Sequence, residues 1–144
     1  MSNAEPIVVK SGDLNNLLQG LQALDGFQEA VGSQVITRPY KIKGAVRIRL
    51  GKWLTSVSEA IKVVNEARTA ILKSYCAGKG ESGKDLERVP PDKILAFNDD
   101  MQAAMEEPHS FAHAKIPVKD ILGDNDENTI PISVLTALSP ILAD

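Results

Sequence analysis

The chain has 144 residues, 43% hydrophobic but only 4% aromatic, so one core of ordinary size must be packed mainly by Leu, Ile, Val and Ala. A formal net charge of −3 gives no reason of its own to expect a nucleic-acid partner, and the single cysteine, Cys76, excludes a disulfide within the chain. No apolar run approaches the roughly 20 residues that span a bilayer, and no secretory leader is apparent, so the expected setting is a reducing cytoplasm.

Ser2-Asn3-Ala4 reads as an expression scar and is set aside. Ile7 to Val9 are β-branched and suit a short strand. Ser11 or Asp13 is placed to cap the helix that follows, in which Leu14, Leu17, Leu18 and Leu21 fall on one face. Asp25-Gly26 ends that helix. The mixed stretch 26–37, with Gly26 and Gly32, reads as a linker.

A long helical segment comes next, from about Lys43 to Cys76. Leu50, Val57, Val64 and Ile71 recur every seven residues, as do Trp53, Ala60, Ala67 and Ser74, with Leu54, Ile61 and Tyr75 beside them. This is the seam of a helix that packs along another helix. Residues 40–50 also alternate as a strand would. Helix is favoured there because Val46 continues the later stripe in phase. The Gly-rich "AGKGESGKDLERVPPD" then breaks the helix, and Pro91 fits the first turn of the next. In "DKILAFNDDMQAAMEE", Ile94, Leu95, Phe97, Met101, Ala104 and Met105 supply an apolar face, and Pro108 stops the helix. The two helices are expected to form an antiparallel hairpin over about 43–107.

The tail repeats the style of the head. "HAKIPVKDIL" and "NTIPISVLTALSPIL" each begin with a short β-prone run and turn helical. With "PIVVKSGDL" they give three short strands expected to pair in one small sheet, the Ile-Pro steps marking edge positions. The fold class predicted is α+β, mainly α, in one domain: a long helical hairpin over a base of short strands and short helices.

Four features tempt a chemical reading. "AGKGESGKD" places Gly78, Gly83 and Lys84 as a phosphate-binding loop does, but Asp85 stands where a Ser or Thr must hold magnesium. The segment also follows a helix instead of a buried strand, and Glu81 adds charge against a phosphate, so a hairpin tip is expected. "EEPHSFAH" offers Glu106, Glu107, His109 and His113. On a helix the two histidines would share a face and suit zinc. After Pro108 a strand is expected, which separates them by about 13 Å. Cys76 has Lys73 and Lys79 near it but no histidine close in sequence, and reads as a half-buried thiol at a helix end. Asp99-Asp100 diverge around a helix and read as a wetted face. No catalytic, cofactor-binding or metal-binding residue is assigned, and no cofactor is expected.

The best lead is charge. From Arg38 to Lys52 the chain carries six Lys or Arg and no acid; from Asp99 to Asp144 it carries nine acids against Lys115 and Lys119. Arg38, Lys41, Lys43, Arg47, Arg49 and Lys52 are therefore candidate contacts, either to nucleic-acid phosphates, with Tyr40 or Trp53 available for stacking though Trp53 lies on the apolar stripe, or to the acidic half of the chain itself.

The order "LNNLLQGLQAL", then "EARTAILKSY", a Gly-bearing loop, "FNDDMQAAMEE", "AKIPVKDIL" and "IPISVLTALSPIL" resembles a family of short uncharacterised proteins encoded by bacteriophages and prophages. Tyr75 stands where that family commonly closes its long helix. Lys115-Ile116, Asp120-Ile121 and Leu138-Ser139-Pro140-Ile141 match its later steps loosely. The resemblance runs from about Leu14 and implies no catalytic residues. It implies a non-enzymatic protein acting by protein–protein contact in the host bacterial cytoplasm or on the virion, with assembly as one role. A homodimer is a further expectation, because a long helix faced by one half its length leaves apolar surface over. The alternative is a nucleic-acid-binding accessory protein that uses residues 38–52.

Overall fold

The computed structural model describes residues 6–76, 89–123 and 127–144. It is α+β and mainly helical. In chain order the elements are β1 (Ile7–Lys10), α1 (Leu14–Ala23), β2 (Phe27–Val31), β3 (Gln34–Arg38), α2 (Gly44–Tyr75), α3 (Ile94–Glu106), β4 (Pro108–Phe111), β5 (Ile116–Pro117), α4 (Val118–Leu122), α5 (Ile132–Leu138) and β6 (Leu142–Ala143). Short 3-10 turns over 11–13, 91–93 and 139–141 lead into α1, lead into α3 and follow α5.

The core lies around the first half of α2. Val46, Leu50, Trp53 and Val57 are its buried residues, in the phase read from the sequence. They meet Leu14, Leu17 and Leu21 of α1, with Ile116, Ile121, Leu138 and Ile141 from the later part of the chain. α1 packs against both α2 and α5. Trp53 anchors the cluster at 1% exposure. Its indole N–H donates to Ala114 O at 3.2 Å, and its ring lies against Phe111 and, edge-on, against His113.

Beyond Val57 the expected seam loosens. Ala60, Ile61, Val64 and Ile71 are only half-buried, and Ala67 and Ser74 are exposed. The reason is the partner: α3 lies against this half of α2, but it is short and none of its own residues is fully buried. Phe97, Met101, Ala104 and Met105 are half-buried, whereas Leu95 points outward at 81% exposure instead of filling the face. Tyr75 fixes the far end. Its ring meets Phe97 edge-on at 5.7 Å, and its hydroxyl donates to Asp100. The expected hairpin tip, with the phosphate-loop-like motif, falls in 77–88, outside the described residues.

The strands depart most from expectation. Residues 27–38 are no linker but an antiparallel β-hairpin, β2 with β3, turned at Gly32-Ser33. Gly32 sits at φ 64°, where glycine carries no side-chain penalty. The three strand-then-helix starts do not join in one sheet. β1 pairs with β4 antiparallel, β5 pairs with β6 parallel, and each sheet has two strands. The third start forms no strand: Pro131, extended and lacking an N–H, is the N-cap position of α5. Capping differs too. Neither Ser11 nor Asp13 caps α1 through its side chain; the Ser11 hydroxyl donates instead to Glu107 O at 2.9 Å.

Close packing of α1 on α5 depends on Gly20. A Cβ there would meet Leu138 Cγ at 3.0 Å and Ala137 Cβ at 3.1 Å, and Leu138 has no exposed surface through which to yield. Gly51, in α2, has nothing within 4 Å. Denaturant unfolding therefore separates the two. Gly51→Ala gains up to about 1 kcal/mol of helix propensity, whereas in Gly20→Ala overpacking of about 1–3 kcal/mol outweighs that gain.

The Tyr75 phenol is held above the ordinary tyrosine range, first by the hydrogen bond it donates to Asp100, then by partial desolvation and the charges of Asp100 and Asp99. The protonated form is the one the fold favours. Its contribution is complete below the ordinary tyrosine range and is lost as pH rises through the raised value. The phenolate absorbance assigned to Tyr75 by difference from Tyr75→Phe should titrate high, and Asp100→Asn should lower its midpoint.

Candidate functional site

The basic segment runs from the end of β3, through an extended stretch, into the first turns of α2. Its cations do not form one open array. Arg38 ion-pairs with Glu29 across the β2–β3 hairpin. Arg47 folds back on the chain before it, donating from Nη2 to Tyr40 O at 2.6 Å and from Nε to Ile42 O at 3.2 Å. Arg49 Nη1 lies 3.7 Å from Asp120, and Lys41 Nζ lies 3.9 Å from Glu127. Lys43 occupies the N-cap position of α2, and Lys52 is exposed one turn after the Arg49 level. Among the described residues the basic stretch and the acidic half thus meet within the fold through Arg49–Asp120 and Lys41–Glu127. These pairs are solvent-exposed, and exposed pairs of this kind contribute about 0–1 kcal/mol each.

What holds the segment in place is a residue the sequence did not single out. Asn128 is buried. Its Oδ1 accepts from Lys41 N at 2.8 Å, and its Nδ2 donates to Lys41 O at 3.0 Å and to Ile121 O at 2.8 Å. One side-chain amide therefore pairs with the backbone of residue 41 as a neighbouring strand would, and also ties in α4. A cavity of about 300 Å³ opens on one side of this clamp, lined by Lys41, Lys43, Lys119, Asp120 and Glu127. A second, of about 580 Å³, opens on the other, between Phe27, Tyr40, Pro39 and Pro131. The Phe27 and Tyr40 rings are 5.1 Å apart. Tyr40 is 5% exposed, so its ring is floor and offers no free face for base stacking.

The histidines are separately employed. His109 Nε2 lies 2.8 Å from Ser11 Oγ. Ser11 has one hydroxyl proton and gives it to Glu107 O, so the imidazole N–H is the donor to Ser11. That polarity is the reverse of a base activating a nucleophile. His113 Nε2 lies 2.7 Å from Ser56 Oγ on α2, in an open groove shared with Glu59. Among the described residues no carboxylate bonds to His113, and no group of three or more His, Cys, Asp or Glu is arranged to hold a metal ion. Cys76 is half-buried at the end of α2, its N–H on Leu72 O. Asp99 and Asp100 are exposed, the second engaged by Tyr75. No helix among the described residues is long and apolar enough to cross a membrane.

No protein-family model, curated protein or solved structure matches this chain. Function must be argued from the surface itself.

Asn128 had no signal in the sequence because "DNDENTI" has the composition of any polar loop. Its importance comes from closure onto Lys41, 87 residues away. Asn128→Ala should cost about 1–3 kcal/mol by stranding those backbone groups. Asn128→Asp keeps the acceptor for Lys41 N but sets a carboxylate against two carbonyl oxygens, so it should be no better than alanine. Urea unfolding, with hydrogen exchange at the Lys41 amide, measures both.

Proposed function

We propose that this is a non-enzymatic protein of bacteriophage or prophage origin that works in the host cytoplasm or on the virion through protein–protein contact. The observation that carries the reading is the outer face of α3. Leu95, a large aliphatic side chain, stands 81% exposed there, and Asn98, Asp99 and Gln102 lie exposed on the same side. An aliphatic anchor with an acid beside it suits a partner protein that presents an apolar pocket rimmed by Lys or Arg. In this reading α2 and α3 form a hairpin arm whose near end is fixed in the core and whose far end meets the partner.

Nucleic acid is the weaker reading of the same molecule. Arg38, Lys41 and Arg49 already face carboxylates, and Arg47 is turned onto its own backbone. Few cations of the segment are left to release counterions from a phosphate backbone.

The test is capture from prophage-induced bacteria with the wild-type chain, with Leu95→Arg and with Asp99→Lys, all checked for unchanged circular dichroism. A partner lost with Leu95→Arg, and weakened by Asp99→Lys or by raised salt, supports the proposal. Capture indifferent to both substitutions overturns the assignment to α3, and nucleic acid recovered in its place overturns the reading.

A further inference from the structure

The β2–β3 hairpin stands apart from the other strands. All five residues of β2 and four of the five in β3 are exposed, and among the described residues the sheet has two strands. An isolated two-stranded hairpin is marginal in water, and a third strand or a packed face is what usually stabilises it. The register shows which backbone groups such a strand would meet. The pair that closes a two-residue turn is hydrogen-bonded, and bonded and non-bonded pairs alternate from there. Val31–Gln34, Glu29–Ile36 and Phe27–Arg38 are therefore the bonded pairs of this register. Val35 and Thr37 turn their N–H and C=O groups away from β2, and Gln28 and Ala30 turn theirs away from β3.

The two free edges are not equivalent. β3 reads Gln-Val-Ile-Thr-Arg. It has three consecutive β-branched residues and no proline, lysine or bulge inside it, so it lacks the devices that usually blunt an edge. Its one charge, Arg38, is matched by Glu29 within the same hairpin. A second β3 laid antiparallel about Ile36 would pair all five residues. Val35 would oppose Thr37 twice, exchanging four backbone hydrogen bonds, with Ile36 facing Ile36 on the two-fold axis. The same operation on β2 places Glu29 opposite Glu29 in a non-bonded pair, where side chains come closest and like charges repel.

We propose that two copies of this chain associate through their β3 edges, giving a four-stranded antiparallel sheet in the order β2-β3-β3-β2. On one face of the joined sheet Ile36 meets its copy at the axis, with Phe27, Glu29, Val31, Gln34 and Arg38 of each hairpin around it, so the apolar contact is local to the axis and polar groups rim it. The proposal names one partner within the protein-contact reading and rests on it only in that respect. It uses a different surface from Leu95.

Sedimentation velocity and light scattering on the full chain test it. The expected result is a species of twice the chain mass. Thr37→Pro removes an outward N–H and leaves the β2–β3 ladder intact; it should raise the dimer dissociation constant by at least about tenfold. Gln28→Pro, the matching change on the β2 edge, should leave the constant unchanged. Ile36→Lys, which keeps every backbone group, should weaken the dimer through two cations on the axis and more so at low salt. A monomer at the highest soluble concentration overturns the proposal, as does a dimer indifferent to Thr37→Pro and Ile36→Lys. So does a Thr37→Pro-sensitive complex with a different protein, which assigns the edge to a foreign strand. A monomer that still captures a partner through Leu95 overturns this proposal alone.

Discussion

Trp53 is the constraint on which the rest of the fold depends. Burying an indole gains a large apolar area only if its N–H finds an acceptor, and here the acceptor is Ala114 O, in the short link between β4 and β5. That bond fixes the later part of the chain against α2 at one point. The rings of Phe111 and His113, just before Ala114 in the chain, both lie against the same indole. β4, which ends at Phe111, pairs with β1 and so brings in the head of the chain. One side chain on the long helix therefore organises segments far apart in sequence.

From that point burial fades along α2. Residues near Trp53 are enclosed by α1 and the C-terminal elements, whereas beyond Val57 the cover thins: Ala60, Ile61 and Val64 are half-buried against the edge of the core, and α3 lies along the helix. The gradient divides the molecule by role. One end is a packed base, whose polar groups satisfy one another through Asn128, Ser11 and Arg47. The other is a thinly covered pair of helices with aliphatic side chains in water. The proposed partner contacts lie on surfaces that the base does not enclose, namely the outside of α3 and the edge of β3.

What the sequence made legible follows from periodicity. A stripe as regular as Val46, Leu50, Trp53 and Val57 leaves little choice but helix, and the leucines of α1 likewise declared their buried face. Proline and glycine marked the ends of α3 and of α1. The β2–β3 hairpin escaped notice because its alternation is weak and its residues are exposed, so no core pattern marks them. The Gly32-Ser33 turn between Val31 and Gln34 was the available signal. The strand pairings were beyond reach for another reason. Partners such as Val9 and His109 are chosen by how α2 and α3 bring distant segments together, and two-residue strands have no periodicity to read. The basic segment and the acidic half as its possible partner were legible from charge, but the particular residues Asp120, Glu127 and Asn128 come to it only through tertiary closure.

Leu138 and Ile141 fill the space over α1, with no exposed surface left on either. During synthesis the leucines of α1 emerge first; α2 follows soon after and covers part of them, but Leu138 of α5 is made more than a hundred residues later. Such long-range closure is slow compared with helix formation. A nascent chain would hold the α5-facing side of α1 open throughout that interval. The order of its residues thus makes the growing polypeptide, more than the finished one, the species in need of a chaperone.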